Sequence, residues 1–242
     1  WHSGESIISF IGKKACNLSC KYCFMEEKQK DELNREELSE ELIRAGLDFI
    51  LQRKENAYRV RVDYSLGGEP LLSFDTYKKL WSIVKEYDKR EEGEVALGFI
   101  TNATLLNDEV IDWFNQNHHW IGFSLDGGKK VNDSMRIYSN GKGSFEKAYS
   151  NITKVLNLNW EHFPGVNAVL TAENPDILNV FLELWDLGFR IITIKLVRAD
   201  SSKPFAITLK NIDIIKENYL KFAEFLIYHC KQGNFEYLKA IL

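Results

Sequence analysis

The sequence predicts an α/β fold of six strand–helix units around a parallel sheet. Three observations carry that prediction. Apolar, β-branched runs alternate with amphipathic helical segments along most of the 242 residues. Strict alternation of this kind implies parallel strands joined by right-handed crossovers, with the helices outside. Four polar or glycine-rich segments each follow a strand, so they collect on one edge of the sheet. Six units are too few for a closed eight-stranded barrel. A partial barrel and an open doubly wound sheet both fit, and both seat ligands at the carboxyl ends of the strands.

The elements follow in order. Residues 7–11 form the first strand, and Asn34 with Glu37 gives a helix start in which a polar cap and an acid three residues on satisfy free amide donors. Leu38, Leu42, Ala45 and Phe49 then recur at helical spacing. The second strand is 59–65, followed by a helix with Leu80, Ile83, Val84 and Tyr87 on one face. The third is 95–100, after which Asn107 caps a helix carrying Val110, Ile111 and Phe114. The fourth is 120–125, trailed by a long loop and a helix from Ser144 with Phe145, Ile152, Val155 and Leu156. The fifth is 166–170, with Asn174-Pro175 opening the next helix and Gly188 just past its end. The sixth is 191–197, and a last helix runs from Asn211 through Cys230, with Phe225, Leu226 and Tyr228 on its core face. Trp81, Trp160 and Trp185 read as core aromatics.

Composition narrows the function. A net charge of −4 with interspersed signs argues against a nucleic-acid binder driven by phosphate contacts. No apolar run is long enough to span a bilayer, and the start does not resemble a signal peptide. Four cysteines are too few for a disulfide scaffold, and clustered cysteines inside the cell point to metal or catalysis. The expectation is a cytoplasmic protein. The chain opens on Trp1 and stops at Leu242 within an apolar, helix-like stretch, which reads as part of a longer protein.

The chemistry lies on the predicted edge. Cys16, Cys20 and Cys23 stand at C-x3-C-x2-C spacing after the first strand. Thiolates select iron–sulfur clusters, zinc or cuprous copper. A 4Fe–4S cubane normally takes four cysteines, so three leave one iron open. Structural zinc asks for a closed set of four ligands, and nothing nearby supplies the fourth; Cys230 lies far along the chain in a helical pattern. Gly67-Gly68-Glu69-Pro70 follows the second strand, Thr101-Asn102 ends the third, and Ser124-Leu125-Asp126-Gly127 ends the fourth. Taken singly, each of these segments is also compatible with an ordinary turn or cap. Asp133 and Arg136 read as a local salt bridge, with a place near the substrate as the alternative.

With Gly-Gly-Glu-Pro after the cysteines and in the right order, the sequence resembles the radical S-adenosylmethionine (SAM) superfamily. The segments Thr101-Asn102-Ala103-Thr104-Leu105-Leu106 and Ser124-Leu125-Asp126-Gly127 resemble its SPASM/twitch subgroup, which includes anaerobic sulfatase-maturating enzymes and maturases of ribosomal peptides. The resemblance implies a partial (β/α)6 TIM-like barrel. It further implies a 4Fe–4S cluster on Cys16, Cys20 and Cys23, with SAM on the open iron. One electron then cleaves SAM to methionine and a 5′-deoxyadenosyl radical, which abstracts hydrogen from a peptide or protein substrate. In this scheme Tyr22 approaches adenine through its backbone, and Gly67, Gly68 and Glu69 hold the methionine amino group. Asn102, Ser124, Asp126 and Val197 complete the SAM contacts, and Asp133 and Arg136 match a loop motif of the subgroup. A flavodoxin or ferredoxin would donate the electron; nucleic acid and membrane are not expected partners. Residues 1–242 correspond to the core domain alone, without a leader-binding domain or a C-terminal auxiliary-cluster domain. Ala103 stands where the subgroup usually has glycine. A small-molecule substrate in cofactor biosynthesis is the second reading, and a zinc-stabilised binding module the third.

Overall fold

The computed structural model describes residues 5–11, 15–25, 38–53, 59–65, 67–90, 95–117, 120–158 and 164–241. Asn34, Glu37 and Trp160 lie outside this set. Six strands, β1 (Glu5–Ser9), β2 (Arg59–Asp63), β3 (Val95–Thr101), β4 (Trp120–Ser124), β5 (Gly165–Leu170) and β6 (Ile192–Leu196), follow one another in sequence order across one sheet. The helices are α1 (Glu40–Gln52), α2 (Phe74–Arg90), α3 (Asp108–Asn117), α4 (Lys129–Met135), α5 (Phe145–Leu156), α6 (Ile177–Asp186), α7 (Ile212–Lys231) and α8 (Glu236–Lys239). The chain divides into two compact units. One comprises Trp1–Asn17, Met25–Thr101 and Leu105–Gly122; the other comprises Leu18–Phe24, Asn102–Thr104 and Phe123–Leu242. No helix among the described residues is long and apolar enough to cross a membrane.

In the first unit β1, β2 and β3 pair in parallel, with Ser9 opposite Asp63 and Asp63 opposite Gly98. Val60, Val62 and Tyr64 alternate into the core, as period-two patterning requires. Tyr77 of α2 meets Phe99 of β3 edge-on at 5.0 Å, and Phe99 lies 4.9 Å from Phe114 of α3. Such aromatic pairs add about 0.5–1.5 kcal/mol each beyond their buried area. Ser39 caps α1 by accepting from the Leu42 N–H, and Asn107 caps α3 by accepting from the Val110 N–H at 2.9 Å.

In the second unit β5 and β6 pair in parallel, Val166 opposite Ile192. β5 buries Val166, Ala168 and Leu170 and leaves the residues between them partly exposed. Phe181 of α6 packs 5.1 Å from Phe222 of α7, and Phe123 packs on Phe189.

Several expectations are corrected. The buried face of α1 carries Ile43 and Leu47, whereas Leu42 and Phe49 are more than half exposed; two apolar stripes competed on this helix, and the one that packs won. The stretch after β4 holds helix α4 rather than a continuous loop, its weak stripe burying only Asn132 and Met135. Pro175 lies before α6, whose cap is Asp176, accepting from the Asn179 N–H at 3.0 Å. α5 does start from Ser144, and its Phe145 N–H donates to Asp133 Oδ1. Tyr228 on α7 is 61 % exposed, not core. Gly188 does end α6, at φ 103°.

Candidate active site

The Gly-Gly-Glu-Pro segment is built against the residue that precedes the first cysteine. Gly67 and Gly68 adopt φ of 112° and 135°, a region that glycine alone visits at little cost. A Cβ at Gly68 would fall 2.1 Å from the carbonyl oxygen of Ala15, and the next amide, Glu69 N–H, donates to that same oxygen at 2.8 Å. The Glu69 side chain is 3 % exposed; its Oε1 accepts from Thr101 Oγ1 at 2.6 Å and from the Leu71 N–H at 3.1 Å. The carboxylate thereby ties the end of β3 to the residues that follow the glycine turn.

Cys16 is exposed and belongs to the first unit; Cys20, partly exposed, and Cys23, exposed, belong to the second. No disulfide joins the cysteines. In the second unit the loop 18–24 is pinned at several points. Its Ser19 N–H donates to the Ile137 carbonyl at 2.7 Å, its Lys21 N–H to the Met135 carbonyl at 2.9 Å, and the Cys23 N–H closes a turn on the Cys20 carbonyl. Among the described residues no three His, Cys, Asp or Glu side chains converge on a single metal position. Thiolates bind a cubane at separate iron corners, so it asks for thiolates spread around a cluster and not gathered on a point. Soft, solvent-accessible thiols are the donor type that set requires.

The strand-end Asp126 is bonded through both carboxylate oxygens. It is 1 % exposed. Its Oδ1 accepts from Arg136 Nε and from the Val169 N–H, both at 3.0 Å, and its Oδ2 accepts from the Tyr22 hydroxyl at 2.5 Å. Arg136 also lies over the Tyr22 ring, 5.5 Å from its centroid. Burial disfavours the Arg136 charge, but Asp126, foremost among its neighbours, acts with Tyr22 and Cys20 to outweigh this and keep the guanidinium protonated. Burial likewise pushes the Tyr22 phenol well above its ordinary pKa, against the pull of Arg136. The expected Asp133–Arg136 bridge does not form. Arg136 sits one residue past α4 in extended backbone, which turns its side chain to Asp126. Asp133 instead lies 3.6 Å from Lys129.

The remaining predicted residues fall at the same strand ends. Ser124 is partly exposed at the end of β4. Val197, just past β6, donates its N–H to the Leu170 carbonyl and packs with Met135 and Phe205, against which Tyr22 also rests. Asn102 is 7 % exposed, and its side-chain oxygen accepts from both the Thr104 N–H (2.9 Å) and Thr104 Oγ1 (2.7 Å). That turn forces Ala103 to φ 62°, the one positive φ outside glycine among the described residues, and the Ala103 carbonyl accepts from Asn151 Nδ2. A residue with Cβ in this region costs about 1–2 kcal/mol. Ala103→Gly is therefore expected to raise unfolding free energy by about 0.5–1 kcal/mol, the strain relieved less the added chain entropy, measurable by urea denaturation.

Sequence reasoning used Tyr22 only for its backbone and paired Arg136 with the wrong acid. The signal available was an aspartate at a strand end with an arginine ten residues on, which points to a partner only once α4 is placed.

The chain matches the radical SAM superfamily over residues 11–194. It belongs to that superfamily. Members use a 4Fe–4S cluster and SAM. It is 36 % identical over 145 residues to a cysteine-type anaerobic sulfatase-maturating enzyme of Clostridium novyi, covering 59 % of this chain and 37 % of the relative. It is 33 % identical over 177 residues to a serine-type enzyme of that name from Bacteroides thetaiotaomicron, covering 70 % and 41 %. It thus spans less than half the length of either relative. The solved structure of anSMEcpe with bound AdoMet superposes with a TM-score of 0.73 at 17 % identity, over 95 % of this chain and 62 % of that one. Streptococcus suis SuiB bound to S-adenosylmethionine gives 0.59 at 17 % identity, over 93 % and 48 %. The fold is the partial (β/α)6 barrel of the radical SAM superfamily, which decides between the two architectures the strand pattern allows.

Proposed function

We propose that this chain is the core domain of a radical SAM oxidoreductase that removes hydrogen from a peptide or protein, leaving an oxidised side chain, a thioether or a carbon–carbon crosslink. The observation that carries the reading is the pairing of a three-thiol loop with a glycine turn built on the residue before it, in a chain whose relatives are named as sulfatase-maturating enzymes. Cys16, Cys20 and Cys23 hold the cluster. Bound together, cluster and SAM supply the electron and the hydrogen-abstracting species. The protein's own share is positioning. Gly67 and Gly68 bring bare backbone close to the methionine amino group, and Glu69 keeps that turn tied to β3. In this reading Ser124 and Asn102 would contact SAM, and Val197 with the Tyr22 backbone would line its adenine. A cytoplasmic flavodoxin or ferredoxin fits as electron donor.

The test is anaerobic reconstitution of the full-length protein, reduction, and incubation with SAM and candidate cysteine- or serine-containing peptides. A peptide mass lower by about two hydrogens, together with 5′-deoxyadenosine, is the expected result under the radical scheme. Deoxyadenosine without any peptide change across such a panel would favour the second reading, a small-molecule substrate. That reading has support of its own. A SAM-dependent nucleotide dehydratase from Psychrobacter lutiphocae is 31 % identical over 180 residues, 57 % of its length.

A further inference from the structure

We infer that Asp126 is a positioning residue, which holds the cysteine loop against the fourth strand's end through Tyr22 and does not itself touch SAM. A carboxylate offers about four lone-pair sites. Three on Asp126 are taken: by Tyr22 Oη, by Arg136 Nε and by the Val169 N–H. The side chain is 1 % exposed, so little of it is open to a ligand. What its bonds do is mechanical. Val169 fixes one oxygen to β5, Arg136 neutralises the charge, and Tyr22 carries the restraint into the loop that bears Cys20 and Cys23. The two backbone bonds from Ser19 and Lys21 land on Ile137 and Met135, the residues that flank Arg136. The loop and the Asp126–Arg136 pair are therefore gripped at one place. The purpose of the grip, holding cluster ligands in register, rests on the radical SAM reading; the grip itself does not.

The test uses the full chain before and after anaerobic reconstitution, with Tyr22→Phe, Asp126→Asn and the double variant. Amide hydrogen exchange of the peptide covering residues 18–24 is followed in cluster-free protein. Tyr22→Phe removes one hydroxyl and leaves the Asp126–Arg136 pair intact, so it keeps the question open even if Asp126→Asn fails to fold. Each single variant is expected to speed exchange in this peptide about tenfold, as loss of a hydrogen bond to a charged acceptor would, with α5 and β5 unchanged in Tyr22→Phe. The double variant is expected to exchange no faster than Asp126→Asn, because both changes break one link. In reconstituted protein the Tyr22→Phe cluster should be lost to a chelator about tenfold faster at unchanged initial iron content, the same opening free energy read a second way. Unaltered loop exchange in Tyr22→Phe, or additive effects in the double variant, would overturn the assignment. If the wild-type chain takes up no cluster, the enzyme reading fails while the exchange result still decides the role of Asp126.

Discussion

Alanine in place of Cys20 is expected to leave a folded protein that assembles no 4Fe–4S cluster and cleaves no SAM. A cubane with two protein thiolates lacks the ligand set on which the open iron depends. The fold does not depend on this thiol. The loop is held by the Ser19 and Lys21 amides and the Tyr22 hydroxyl, and Leu18 at 7 % exposure supplies its buried contact. Loss of a partly exposed sulfur should cost no more than about 0.5 kcal/mol, a shift in Tm of about 2 °C or less for a chain of this size. Iron and sulfide analysis, circular dichroism and 5′-deoxyadenosine production measure the three quantities separately. Normal deoxyadenosine from this variant would be incompatible with the assigned ligands.

The second large effect is expected at Gly68. Alanine there meets the Ala15 carbonyl oxygen at 2.1 Å with a backbone φ of 135°. The obstacle is main chain, so no rotamer change relieves it. Strain of about 1–3 kcal/mol must be taken up by moving the glycine turn away from Ala15, which also breaks the Glu69 N–H bond to that carbonyl, worth about 1 kcal/mol. If this turn holds SAM as proposed, its displacement withdraws that backbone from the ligand. SAM affinity is expected to fall at least about tenfold, equivalent to about 1.4 kcal/mol, with cluster content reduced less. Titration of the reconstituted variant with SAM, followed through the electron paramagnetic resonance of the reduced cluster, reads this directly. Unchanged SAM affinity would remove the Gly67–Glu69 turn from the proposed binding site.

The parts of the fold that were legible in the sequence are those whose signal is local. Strand periodicity placed all six strands, and Asn107 and Gly188 marked helix ends by chemistry that acts within one turn. Where the reading failed, the decision was made by packing. On α1, Leu42 and Phe49 have the right spacing, yet Ile43 and Leu47 are the residues with no exposure. α4 shows only a short, polar pattern and exists because its Asn132 Nδ2 and Met135 side chains find partners: Asp133 and Ser144 for one, Val197 and Phe205 for the other. The candidate site divides in the same way. The cysteine spacing and the glycine pair are visible as letters, because ligand chemistry and positive φ each demand one residue type. The partner of Arg136 and the use of the Tyr22 hydroxyl are set by residues distant in the chain, and no local pattern encodes them.

The Ala103 strain has a related reading. Glycine at that position would be free of it, but here the Asn102 oxygen and Asn151 amide hold the turn regardless. The departure from the subgroup pattern is therefore compensated by hydrogen bonding and leaves the strand end where it is.

Tyr22 and Asp126 are separated by 104 positions in the chain. A ribosome that has released the cysteine motif must still synthesise most of the barrel before the anchor for that loop exists, and closing so long a loop is slow compared with forming local helices. During that interval Cys20 and Cys23 lack this anchor and are open to stray metal or oxidant. If the proposed cluster is held here, its insertion is favoured once the Asp126 anchor has been made, so the timing of cluster delivery relative to chain synthesis should affect the yield of active protein.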